Sequence, residues 1–275
     1  MVSRNAGWNM CDLKGTALLK LINKEKRERL FLTYERANWL IFQDAYPQLL
    51  LYHYSTKKGL PMFHLLKYFH VSSFMEKEWN EFWQKNDKER LMFALIINEQ
   101  NVIQTPVVQH PLYNKRVFHS FLFAFQEKLH FSYVLFPTLE GDLYGASVSK
   151  FRSVDQRIDL GKRLASILFL ENLFPKFIEF AEKTPHTGSR YDYEQYLDPK
   201  IVESTPYLRL AFPVIQHHIH VNEDWIKTRT VRSKWFSRKV FHYHPIFLTD
   251  WYKKKRNILK ALMIFKEVLS GHSWK

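Results

Sequence analysis

Three histidines, His217, His218 and His220, stand almost side by side, and His242 and His244 follow further along the chain. In an extended strand His218 and His220 share one face, as do His242 and His244, because side chains alternate with a period of two. Two such strands laid together would turn several imidazoles toward one ion, with Glu223 or Asp224 adding an oxygen. That donor set suits zinc or a related divalent metal. On this reading His217, His218 and His220 hold the metal of a hydrolase. The opposing reading is compositional. The chain has 13 histidines, and their spacing matches no metalloenzyme signature such as the helical His-Glu-x-x-His.

A second constellation is cationic. The formal charge is +14 with a pI near 9.6. From residue 226 onward there are thirteen basic residues against Asp250 and Glu267, so eleven of those fourteen charges sit in the last fifty residues. Arg229, Arg232, Lys234, Arg238 and Lys239 recur within one to four positions of each other around Trp235, and Lys253, Lys254, Lys255, Arg256 and Lys260 follow. Cations neutralise phosphates and aromatic rings stack on bases, so this mixture suits single-stranded nucleic acid. It equally suits an anionic membrane surface. The plainer alternative is a solvated helix face with its rings turned inward. No helix-turn-helix, RRM or KH signature narrows the choice.

The third is the N-terminal stretch, where Arg4, Asn5, Trp8, Asn9 and Asp12 could converge on a ligand. Asx residues around a glycine more commonly make turns and caps. Cys11 is a conceivable nucleophile, although a lone thiol is usually a small buried apolar group. The chain shows no phosphate loop, nucleophile elbow or paired catalytic carboxylates.

The elements that position these groups are mostly helical. Glycine is scarce, 8 residues in 275 where about 7% is usual, and few positions can then adopt positive φ cheaply. Helical periodicity predicts helices over 12–23 and 24–44, with Pro47 interrupting and 48–54 continuing until Gly59 closes the segment. Ser73 with Glu76, and Asn86 with Glu89, read as capping boxes opening two further helices. Residues 112–129, 155–170 and 175–183 read as helices, and 184–244 as irregular. A last helix is expected to open at Thr249 as N-cap, with Trp251, Ile258, Leu262, Phe265 and Leu269 as its apolar stripe. Runs flanking Glu140-Gly141-Asp142 suggest one hairpin near 131–148. The expected fold is all-α or mainly α, an irregular multi-helix bundle in a single domain spanning 1–275, with a basic end over 226–275.

The single cysteine excludes an internal disulfide, and the longest apolar run, 91–97, is too short to cross a bilayer. A cytoplasmic protein without a transmembrane segment is expected. The run Met1-Val-Ser-Arg-Asn-Ala-Gly-Trp-Asn-Met-Cys-Asp-Leu-Lys-Gly15 resembles the opening motif of an uncharacterised family from spore-forming Gram-positive bacteria. Thr205-Pro206 to Phe212-Pro213, Asn222-Glu-Asp-Trp225, and Pro245 to Asp250-Trp251 are similar to later segments of it. The resemblance implies a bacterial, cytoplasmic protein and lends no catalytic residues. It also implies that family members carry a helical segment ahead of the motif, so an apolar face near Trp8 is expected to lie open here. The leading expectation is a non-enzymatic binder of a polyanion. A metal-dependent hydrolase and a module docking another protein through its aromatic surface are the alternatives.

Overall fold

A computed structural model of the chain describes residues 4–5, 10–111, 133–147, 152–198, 200–202, 205–217, 224–237 and 246–269. The fold is mainly α with one small antiparallel sheet.

The first expected helix is broken in two. A 3-10 turn, Met10–Lys14, precedes α1 (Thr16–Leu21), because Gly15 between them is extended and donates its N–H to the Asp12 carbonyl at 2.9 Å. Asn23 caps α2 (Lys24–Lys58), its side chain accepting from Lys26 N at 3.0 Å. Pro47 does not interrupt α2 as expected. It removes one helical donor, but its ring is buried, and α2 is clamped along its length by packing. Leu30, Phe31 and Leu40 enter one core and Leu51 another. In the same turn the Gln48 amide donates to the Asp44 carbonyl at 3.0 Å and to its carboxylate at 2.6 Å. Gly59, left-handed at φ 65°, ends the helix as its sequence implies.

Both predicted capping boxes are displaced by one residue. Ser72, not Ser73, caps α3 (Ser73–Lys85), and Asp87, not Asn86, caps α4 (Lys88–Val102). Ser73 bonds Asp224 instead, and Asn86 takes the left-handed position that closes α3. A π-helical turn, Gln104–Val108, follows α4; the helix expected over 112–129 lies outside the described residues.

The predicted hairpin is present. β2 (Tyr133–Pro137) and β3 (Leu143–Ser147) pair antiparallel, and β1 (Arg4–Asn5) pairs with β2 through Arg4 opposite Leu135. Gly141 turns the loop at φ 84°, where an added Cβ would collide with the Tyr196 carbonyl. Alternation along the strands divides the core. Val134, Phe136 and Ala146 face α5 (Val154–Leu168) and α6 (Phe174–Lys183). Leu135 and Leu143 face Tyr193, Leu248 and Tyr252. The long irregular segment holds only short turns, among them α7 (Tyr191–Glu194) and α8 (Leu208–Ala211).

The free edge of β3 launches the last helix, α9 (Thr249–Leu269). Gly145 donates to Ile246 O at 2.8 Å, and Leu248 N donates to Leu143 O at 2.7 Å. Thr249 is not the expected N-cap; its hydroxyl accepts Leu143 N at 3.0 Å. This docking sets the rotational phase of α9, and it buries the predicted stripe only in part: Trp251 and Leu262 are half-buried, Trp251 against the Tyr133 ring at 3.7 Å. Ile258 and Phe265 are exposed (37% and 62%), whereas Tyr252 is 1% exposed. Tyr252, Arg256, Leu259 and Met263 turn inward. Among the described residues no helix is long and apolar enough to cross a membrane.

Candidate functional site

The two halves of the basic end meet different surroundings. In the first, Arg229 spreads its guanidinium over Asn101 (3.2 Å), Thr105 (2.9 Å) and Gln109 (3.0 Å), tying the loop to α4 and the π turn. Burial holds its pKa below the ordinary arginine value. Arg232 and Lys234 both reach Asp155 Oδ2, at 2.9 and 2.7 Å, and the Trp235 indole donates to Asp155 Oδ1 at 2.7 Å. Burial alone would raise the Asp155 carboxyl, but the bonds from Lys234 and Trp235 and the charge of Arg232 outweigh it and hold it low. Trp235 is 4% exposed, so the ring read as a stacking surface is core. Arg238 and Lys239 lie outside the described residues.

In the second half, Lys253, Lys254 and Lys260 are exposed on α9, with no carboxylate partner among the described residues. Lys255 is half-buried, its ammonium 5.8 Å from the Trp251 ring centre. Its neighbour Lys254 and partial burial both depress its pKa, burial more. Lys253, Arg256 and Lys260 line a cleft of about 590 Å³ between α9, α1 and residues 194–205, with Lys200 also on its wall.

The cleft floor is a buried polar network. Asp12 accepts two bonds from Arg190, at 2.9 and 2.6 Å, in the fork geometry that favours guanidinium–carboxylate pairs. Burial opposes the charge on Arg190, but Asp12 overcomes it and the guanidinium stays charged. Arg190 also donates to the Tyr252 hydroxyl at 3.0 Å, and that hydroxyl donates to Glu194 Oε1 at 2.5 Å. Tyr193 OH lies 3.4 Å away, and burial pushes both phenols up. Arg256 Nε sits 3.4 Å from Glu194 Oε1. Glu194 is 1% exposed, and its Oε2 is buried with no hydrogen-bond partner among the described residues. A buried acceptor left without a donor costs about 1–3 kcal/mol, and Glu194 lines the cleft.

Of the N-terminal pocket read from sequence, Asp12 lines this site, and it is held by Arg190. Arg4 and Asn5 contribute backbone to the sheet; Trp8 and Asn9 lie outside the described residues. Cys11 is fully buried, and its thiol is pushed up to about 12 by burial and by the charges of Asp12 and Asp192. A thiolate nucleophile is therefore scarce at neutral pH. Gly188 lies directly over it at φ 81°, where a Cβ would crowd the sulfur at 3.3 Å.

His217 packs against α2, its Nδ1 3.5 Å from Arg36 and its Nε2 3.6 Å from Glu35, with the Trp39 ring tilted against it. His218, His220, His242 and His244 lie outside the described residues. Among the residues described, no three histidine, cysteine or acidic side chains form a metal-sized group.

Sequence reasoning missed Arg190, Glu194 and Tyr252. Its one signal was the alternation of charge and tyrosine in Arg190-Tyr-Asp-Tyr-Glu194, too polar for a core unless its members pair with one another.

Residues 1–253 match a family whose description is protein of unknown function (DUF2515). The chain belongs to that family. Within it, the chain is 46% identical over 270 residues to the uncharacterized protein YppC of Bacillus subtilis (strain 168), covering 98% of this chain and 83% of the relative. No solved structure matches. The DUF2515 match covers Asp12, Arg190, Glu194 and Tyr252 and ends three residues before Arg256.

Proposed function

We propose that this protein is a non-enzymatic binder of a phosphate-bearing polyanion, and that α9 carries the binding through Lys253, Lys254 and Lys260. One observation supports the reading above the rest. These three ammonium groups are exposed and have no carboxylate partner among the described residues, whereas Arg232 and Lys234 share the Asp155 carboxylate. Unneutralised cations ranged along one helix release counterions from a phosphate chain and gain affinity in doing so. A nucleic acid strand or an anionic lipid surface offers the matching array. Trp235 is left out of this surface because its ring is internal.

Binding of labelled single-stranded DNA and RNA, and of phosphatidylserine vesicles, measured across a salt series tests the reading. The expected complex weakens linearly in log–log salt with a slope near −0.7 per neutralised phosphate on a single strand. Charge reversal at Lys253, Lys254 and Lys260 is expected to flatten that slope. Undiminished binding by the triple variant would sink the proposal.

A further inference from the structure

We propose that the cleft beneath α9 is a binding site for a small phosphate monoester that carries hydroxyl groups, with Arg256 on the phosphate and Glu194 on a hydroxyl. The inference shares Lys253 and Lys260 with the polyanion surface and rests on that reading only for the sign of the partner's charge.

Size favours a small ligand: about 590 Å³ falls in the range of small-molecule sites, and its concave wall differs from the open face that presents Lys254. Arg256 is poised for an anion. Its Nε rests on Glu194 at 3.4 Å, longer than the roughly 2.7–2.9 Å of a full charge-assisted bond. Its two terminal nitrogens have no partner among the described residues. The side chain is 19% exposed, so the planar fork is held at the cleft wall rather than free in solvent. Lys200, Lys253 and Lys260 add positive charge around it.

Glu194 supplies the complementary half. Oε1 is taken by Tyr252, and Oε2 is an acceptor with no donor among the described residues, although the residue is buried and lines the cleft. An arginine fork beside an unfilled carboxylate acceptor matches a ligand whose hydroxyl lies a few bonds from its phosphate. Oε2 is closed to solvent. Binding therefore requires Arg256 to swing off Glu194 toward the phosphate, the ligand hydroxyl then reaching the carboxylate. Charged hydrogen bonds of this kind discriminate by roughly tenfold or more.

Isothermal titration of the full chain at low salt with ribose 5-phosphate, adenosine 5′-monophosphate and n-propyl phosphate tests this directly. Propyl phosphate keeps the phosphate and lacks the hydroxyls. At least one hydroxylated probe is expected to bind about tenfold more tightly than propyl phosphate. Glu194→Gln is expected to erase that preference while propyl phosphate still binds. Arg256→Ala is expected to weaken all three, and the exposed pair Lys253→Glu with Lys260→Glu to weaken them by a common factor. Equal affinities in the wild-type protein would overturn the inference with no variant needed, as would a preference that survives in folded Glu194→Gln. If no phosphate monoester binds while single-stranded DNA still does, the cleft assignment fails and the polyanion reading stands.

Discussion

Residues 227–237 and α9 are alike in composition and opposite in use. Each is rich in lysine and arginine beside tryptophan, yet the first is sewn to the protein and the second faces outward. The difference lies in what each segment packs against. The first meets Asp155 at the start of α5 and the amides of Asn101 and Gln109, so its cations serve as long tethers for a loop that holds only short 3-10 turns among its described residues. α9 is hydrogen-bonded internally and anchored by strand pairing at 246–248 and by buried Tyr252, so its lysines are not needed to hold it. Local charge excess therefore marks two regions, of which one keeps its lysines exposed.

The anchors of the two regions can be broken separately. Asp12→Ala strands Arg190 in the interior beneath Tyr252, and removing one partner of a buried pair typically costs about 3–5 kcal/mol. Urea unfolding should show that loss, the largest expected here. Charge reversal at Lys253, Lys254 and Lys260 should leave the unfolding midpoint nearly unchanged and lower single-stranded DNA affinity about a hundredfold at low salt. A comparable loss from Arg232→Glu with Lys234→Glu would erase the distinction between the two regions.

A pH effect sharpens the same contrast. The indole of Trp225, at the head of the first region, donates to Asn98 at 2.8 Å, and Asn98 donates to Asp44 at 2.6 Å. Burial, which the bonds from Asn98 and Gln48 only partly offset, raises the Asp44 carboxyl from 3.8 to about 7. The folded state thus holds a proton that the unfolded chain has released above pH 4. Stability is expected to fall as pH rises from about 4 to about 7 and then to level off. Asp44 is only half-buried by accessible surface, so its share is discounted to about 2 kcal/mol. Asp44→Asn should flatten that part of the profile in urea titrations at pH 5 and pH 8. Glu99, also raised to about 7 by burial, leaves a residual slope of the same sign. The smallest change is expected from Asp155→Asn, about 1 kcal/mol, since its ion pairs are partly exposed.

Helices and hairpin were legible because their signals are local. Gly59 at a helix end, the glycine turn at 140–142 and the periodicity of 154–168 and 174–183 each act over a few residues. Failures came where a distant partner competed. Ser73 was read as a cap, but Asp224 claims its hydroxyl from 151 residues away. Pro47 was read as a break, but packing on both sides of α2 outweighs one missing hydrogen bond. The phase of α9 was legible in its apolar residues only in part, because the edge of β3 fixes where the helix begins and how it is turned.

Sequence alone determined the helical class, the hairpin and the location of the charge excess, since composition and short-range spacing carry all three, and its N-terminal motif resembled the family. Tertiary structure decided which cations remain open. It also brought Asp12, Arg190, Glu194, Tyr252 and Arg256 together from three stretches of chain up to 244 residues apart. Nothing in local spacing encodes that meeting. A buried charge is tolerated only where its partner arrives, and the partner's arrival is set by the packing of the whole chain.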